Sequence, residues 1–195
     1  TEPANAMLSR LSSFLRYTLI NEPSARVTVA QEVETLKLYL DIERMRFEER
    51  LRTTFTIDPA TRSALLPSLL LQPLEENAIK YAVGAQESGA EIRIEVQLVG
   101  AMLRISVSDT GPGLQSDATD RRLSGITYDG GEPVSTGVGL ANIRERLEQA
   151  YGERHRFETL EPPEGGFAVI IELPLETDAA LDETAQLPAA AAAAE

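Results

Sequence analysis

Apolar residues return along this chain with two different periods, and each change of period marks a new element. Leu8, Leu11, Leu15 and Leu19 recur at spacings of three and four between about Ala4 and Leu19, one stripe of a helix, with Pro3 just inside its start. Asn21-Glu22-Pro23-Ser24 breaks the pattern. Val29, Val33, Leu36, Leu40 and Phe47 then mark a second, longer helix, for which Thr28 is the expected N-cap with Gln31 and Glu32 close behind. The dense charges between Tyr39 and Phe47 read as solvated pairs along that helix. Arg52 to Ile57, rich in threonine, predicts an edge strand closed by Asp58-Pro59. A third helix is expected from about Arg62 to Val83, irregular at its start because Pro67 and Pro73 fall within it.

Beyond Gly89 the period becomes two. Ile92, Ile94, Val96 and Leu98 alternate with polar residues, and after Gly100-Ala101 so do Leu103, Ile105 and Val107, which predicts a hairpin. Leu114 to Thr136 has no period and reads as a lid or a disordered segment. Leu140, Ile143, Leu147 and Tyr151 trace another helix, and two strands follow, Arg156 to Leu160 and the alternating Phe167, Val169, Ile171 and Leu173. Residues 176–195 turn acidic and then alanine-rich, a low-complexity tail without chemistry.

Composition narrows the function. With 195 residues, 43% of them hydrophobic, the chain suffices for one good-sized domain and some extra helix. A net charge of −13 repels phosphate polymers, so nucleic acid is not an expected partner. The absence of cysteine removes disulfides, thiol catalysis and cysteine-bound zinc, and agrees with a reducing, cytoplasmic setting. No apolar run reaches the length of a membrane span, so no membrane contact is expected of this segment. The single histidine, His155, lies at a strand start without triad partners and reads as structural.

Three stretches carry candidate chemistry. In a helix, Lys80 and Tyr81 share the face of Asn77, and a carboxamide beside an ammonium suits a phosphate chain carrying a hard cation such as magnesium. Taken alone, the same stretch reads more simply as a solvated polar stripe. Asp109 lies two residues beyond Val107 and so continues the buried face of its strand, where a carboxylate needs hydrogen-bond donors. Thr110-Gly111-Pro112-Gly113 follows, and an ordinary aspartate-glycine turn accounts for it equally well. Gly137 and Gly139 sit at a helix start, where free amides and the positive end of the helix dipole outline a phosphate cradle, or simply a glycine-softened helix start.

In this order, Leu71-Gln72-Pro73-Leu74-Glu75-Glu76-Asn77-Ala78-Ile79-Lys80, Asp109-Thr110-Gly111-Pro112-Gly113, the run Gly137-Val138-Gly139-Leu140-Ala141-Asn142-Ile143-Arg144-Glu145-Arg146-Leu147 and Tyr151-Gly152 resemble a known family. It is the ATP-binding (GHKL) superfamily of histidine kinases, gyrase, Hsp90 and mismatch-repair ATPases, and within it the catalytic domain of sensor histidine kinases related to LytS and YehU. Leu15-Arg16-Tyr17 and Tyr39-Leu40-Asp41-Ile42-Glu43 look like the same subfamily, so the resemblance covers about Ala4 to Pro174.

The resemblance implies an α+β fold, a two-layer α/β sandwich of the Bergerat type with a mostly antiparallel sheet and ATP held against the helices. Residues 23–175 would be the ATP-binding catalytic domain, and residues 1–22 the second helix of a dimerisation and phosphoacceptor region whose acceptor histidine lies on a preceding helix. No histidine occurs in 1–22. Asn77 and Lys80 would be the catalytic pair, Asn77 on magnesium and Lys80 on the phosphates. Tyr81 would pack beside the nucleotide, and Asp109 would accept from the adenine amino group. Gly111 and Gly113 would let the base approach, and Gly137, Val138, Gly139 and Leu140 would hold the phosphate side as the lid closes. Implied partners are ATP, a response regulator and a second copy of the chain through the upstream helices.

Two positions depart from the family pattern, Glu75 where relatives often have valine and Tyr81 where they often have histidine; Glu75 is expected near the phosphates or in solvent. A gyrase-type ATPase is disfavoured, because the position four before Asn77, where the water-activating glutamate stands, is Pro73, and Glu76 points about 100° away from Asn77. A nucleotide-binding module without catalysis is the remaining alternative.

Overall fold

The computed structural model describes residues 25–113 and 137–178, together with Ser12. The expected first helix, the lid segment 114–136 and the tail beyond 178 lie outside the described residues, Ser12 apart. A short strand β1 (Arg26–Thr28) leads directly into helix α1 (Val29–Phe47). The start of α1 is a complete capping box: Gln31 N–H donates to the Thr28 hydroxyl at 3.2 Å and Thr28 N–H to Gln31 Oε1 at 2.9 Å. Its charges pair along the exposed side as expected, Lys37 with Glu34 and Arg44 with Asp41.

A single turn of 3-10 helix brings the chain to β2 (Leu51–Ile57), the edge strand read from the sequence. β2 runs parallel to β4 (Ala90–Val99), and β5 (Met102–Asp109), β7 (Phe167–Pro174) and β6 (Arg156–Leu160) continue the sheet antiparallel, in the order β2-β4-β5-β7-β6. Alternation sets its faces. Ile92, Ile94 and Val96 stand opposite Asp109, Val107 and Ile105 on the inner side, while Arg93, Glu95, Gln97, Arg104 and Ser106 look out. Against the inner side pack Val33, Leu36 and Leu40 of α1, Leu74, Ala78, Ile79 and Ala82 of the central helix, and Ile143, Leu147 and Tyr151 of α3 (Gly137–Tyr151). This is the two-layer α+β sandwich that the resemblance implies. No helix of the described residues is long and apolar enough to cross a membrane.

The central helix corrects one expectation. Instead of one helix from Arg62 to Val83, the chain forms a 3-10 turn (Pro59–Thr61), a strand β3 (Leu65–Pro67) paired antiparallel with β1, a buried turn, and only then α2 (Gln72–Ala78), which ends in a π turn (Ile79–Val83). Both prolines act as boundaries. Pro67 closes the strand, and Pro73 sits in the first turn of α2, where a missing N–H costs nothing. The π turn is recorded by Gly84 N–H donating to Ile79 O at 2.8 Å, five residues back.

Candidate nucleotide site

The site is built around α2 and its π turn, which is fixed at both ends. At the far end the Arg50 guanidinium donates to Val83 O (3.1 Å), the last carbonyl of the π turn, and to Gln86 O (2.7 Å) in the turn that follows. Asn77 is half-buried, Lys80 is exposed and Tyr81 is half-buried, so all three lie at the protein surface. The Lys80 ammonium stands 5.0 Å from the centre of the Tyr81 ring, a cation-π contact that places a positive charge against an aromatic face. Tyr81 Oη is buried and has no hydrogen-bond partner among the described residues.

Asp109 ends β5 on the inner side, as parity predicts, facing Ile92 on one neighbour and Phe167 on the other. Its carboxylate accepts from Gly111 N–H at 2.8 Å and also from the Phe167 backbone amide. Burial nevertheless pushes its pKa up to about 6, because two amide donors offset only part of the lost hydration.

The turn after Asp109 is pressed against the π turn. A Cβ at Gly111 would stand 2.6 Å from Ala82 Cβ and 2.8 Å from Asp109 Oδ1, so the position must be glycine for the strand end to reach the helix. Gly113, at φ 68°, meets the β6–β7 turn, where a Cβ would lie 2.9 Å from Gly166 O. Gly166 in turn lies so close to Asp109 that a Cβ there would be 2.0 Å from its carbonyl oxygen. The expected approach of a base to Gly111 and Gly113 therefore comes with a structural duty for both. Gly165-Gly166, read from the sequence only as a turn, is part of the floor beneath Asp109.

At the other end of α2, the first residues of α3 come alongside. Gly137, Val138, Gly139 and Leu140 form its first turn, and an ideal Cβ on Gly139 would lie 3.9 Å from the Pro73 ring. The three motifs thus gather along one helix: Gly139 lies near its start, Gly111 packs at its end, and Asn77, Lys80 and Tyr81 lie between. Ala82 lies nine positions beyond Pro73, roughly 13 Å at the α-helical rise.

Glu75 is not in solvent, and it faces away from Asn77. It is fully buried on the core side of α2, both carboxyl oxygens lack hydrogen-bond partners among the described residues, and burial holds its pKa well above the usual carboxylate range, with the charges of Glu76, Glu32 and Glu43 adding to the effect. The helical period explains this: Glu75 lies one residue from Leu74 and three from Ala78, both in the core, and two from Asn77 on the opposite side. His155 stands just before β6 with Nδ1 2.5 Å from Gly152 O, the strand-end role expected of it.

Residues 64–177 match the family described as histidine kinase-, DNA gyrase B-, and HSP90-like ATPase, and residues 1–51 match the histidine kinase family. Sensor histidine kinase YesM of Bacillus subtilis (strain 168) is 36% identical over 165 residues, 85% of this chain and 27% of that protein. Sensor protein LytS of Enterococcus faecalis (strain ATCC 700802 / V583) is 33% identical over 180 residues, 91% of this chain and 30% of that protein. The chain therefore spans somewhat over a quarter of the length of these curated relatives. Among solved structures, the nucleotide-free catalytic domain of histidine kinase ThkA shares the fold with a TM-score of 0.57 at 18% identity, over 77% of this chain and 97% of that one. Over most of its length the chain is thus similar to proteins named as sensor histidine kinases, and it belongs to the family of histidine kinase-, DNA gyrase B- and HSP90-like ATPases.

Proposed function

We propose that the chain binds ATP with magnesium along α2 and passes the γ-phosphoryl group to a histidine that lies outside it. The observation that supports this reading is that the two glycine motifs lie by opposite ends of one short helix, Gly111 against Ala82 and Gly139 near Pro73, with Asn77 between them. Asp109 accepts from the adenine amino group. Tyr81, whose hydroxyl lacks a partner among the described residues, flanks the nucleotide, and Lys80 neutralises phosphate. Asn77 would offer its amide oxygen to magnesium, which would supply charge neutralisation on the phosphates. Gly137, Val138, Gly139 and Leu140 present amides to the phosphate chain.

In the transfer, an acceptor imidazole nitrogen forms a bond to γ-phosphorus as the bond from phosphorus to the β–γ bridging oxygen breaks. ADP leaves and the imidazole proton passes to solvent. Such a step needs positioning and charge neutralisation more than covalent help from the protein, which is what these residues provide. Residues 1–22 serve in this reading as part of a dimerisation region and residues 23–175 as the catalytic domain. A response regulator receives the phosphoryl group next, and use of ATP puts the module on the cytoplasmic side of any membrane to which the whole protein is attached.

An ATP titration followed by transfer to an added acceptor-helix fragment tests the proposal. Binding with transfer to histidine supports it. Binding alone reduces the chain to a nucleotide-binding module, and turnover without acceptor makes it a hydrolase.

A further inference from the structure

The turn Ser68–Leu71 that precedes α2 is an unusual piece of backbone. Ser68, Leu70 and Leu71 are buried, and Leu69 has φ 56°, a left-handed conformation that a leucine rarely adopts. Backbone polar groups buried there cannot turn to water, so they must find partners in the protein. Side chains from two other helices supply several of them. Glu32, in the first turn of α1, accepts from Leu69 N–H and Leu71 N–H at 3.0 Å each, one on each oxygen. Arg146 of α3 donates to Ser68 O at 2.6 Å and Leu69 O at 3.2 Å. Ser68 N–H goes to Ala25 O at 2.8 Å, just ahead of β1.

This grip sits where α2 begins. Leu71 is the N-cap residue, it has no capping side chain, and its carbonyl accepts the first bonds of the helix from Leu74 and Glu75. Holding Leu71 N–H therefore fixes the helix start. Arg146 also lies seven residues beyond Gly139, two turns on along the same face of α3, so that one face lies by Pro73 at Gly139 and grips the turn before it at Arg146. Displacement of the phosphate cradle on α3 would be felt at Ser68 and Leu69.

We propose that Glu32 and Arg146 are positioning residues for the nucleotide: gripping the Ser68–Leu71 turn from two sides, they fix the start of α2 and its offset from α3, and so align Asn77 with the phosphate cradle. The proposal rests on the nucleotide reading above and assigns no contact with ATP to either side chain. Lysine in place of Arg146 keeps the charge but loses the planar fork that reaches two carbonyls. Glutamine in place of Glu32 turns an amide donor toward one of the two backbone N–H groups.

Calorimetry on the full chain with ATP and magnesium, and separately with adenosine, tests this. In Arg146→Lys and in Glu32→Gln the affinity for magnesium ATP falls roughly 10- to 100-fold, the range for removing a group that orients a binding residue. Adenosine, held at the Asp109 end, changes by less than about twofold, as expected of a distant and independent site. Equal losses for both ligands mean general softening and overturn the proposal, as does unchanged binding of magnesium ATP. A measurement on the wild-type chain covers the case in which a variant fails to fold: magnesium ATP, but not adenosine, slows hydrogen exchange at the Leu69 and Leu71 amides, and equal protection by both overturns the proposal. If the wild-type chain binds no magnesium ATP, the nucleotide reading falls and this proposal falls with it. Wild-type binding with indifferent variants removes this proposal alone.

Discussion

Asp109 and Glu75 are both acids that the fold takes out of water, and the difference between them is the number of donors they meet. Asp109 has the amides of Gly111 and Phe167 and titrates near 6. Its pKa is raised in the folded state, so on its own account it favours folding most below its ordinary value of 3.8 and loses that contribution as pH rises through about 6. Binding runs the other way, because the adenine amino group needs an acceptor. Adenosine affinity is predicted to fall as pH drops below about 6, and in Asp109→Asn to be weaker by about 1–3 kcal/mol, the range for a lost buried hydrogen bond, and flat with pH; calorimetry from pH 5 to 8 reads both. Glu75 has no donor among the described residues. Its raised pKa likewise costs stability as pH rises above 4.5, and Glu75→Val is expected to raise stability at pH 7 by about 1–3 kcal/mol and to flatten its decline with pH. A lower melting temperature for the valine variant would mean that the carboxyl has a partner it is not credited with here.

Among the elements, the five strands of the main sheet and α3 were legible from the sequence pattern, whereas β1, three residues long, carries no period to mark it. Alternation from Ile92 to Val107 put Asp109 on the inner side correctly. The stretch before Asn77 was not legible, for a physical reason. Leu65, Leu66 and Leu69–Leu71 are apolar because a buried strand and a buried turn need them so, and a short continuous apolar run has the same composition in a strand as in a helix. The π turn was invisible too, since nothing in Ile79–Val83 marks it in sequence. The roles of Glu32 and Arg146 depend on a turn whose conformation is set by tertiary contacts, so their spacing carried no signal. Gly111 shows how elements constrain one another: Gly111→Ala would drive its Cβ into Ala82 and is predicted to cost about 1–3 kcal/mol of stability, the usual scale of overpacking. Thermal melting checks the cost, and adenosine binding should weaken with it. Unchanged melting would show that strand end and helix can separate freely. On α2 itself, Asn77→Ala should remove the gain in ATP affinity that magnesium confers while leaving metal-free binding near that of the parent; an undiminished gain would take the metal away from Asn77.

On the scale of the whole molecule, three motifs each about thirty residues from the next in sequence become neighbours because the sheet carries Asp109 to one end of α2 while α3 delivers Gly139 to the other. The resemblance had implied this grouping, and the residues explain how it is built: small residues where elements touch, and long polar side chains, Arg50 and Arg146, where backbone ends need partners. In the function proposed above, Asp109 and Asn77 hold opposite ends of a single nucleotide. Backbone amide NMR during a titration, first with adenosine and then with ATP and magnesium, tests this most directly. Adenosine is predicted to shift the resonances of Asp109 and Gly111 and to leave Asn77 still, with Asn77 and Gly139 moving only when the triphosphate and metal are added. Shifts at neither end, or shifts of all four residues with adenosine alone, would contradict it.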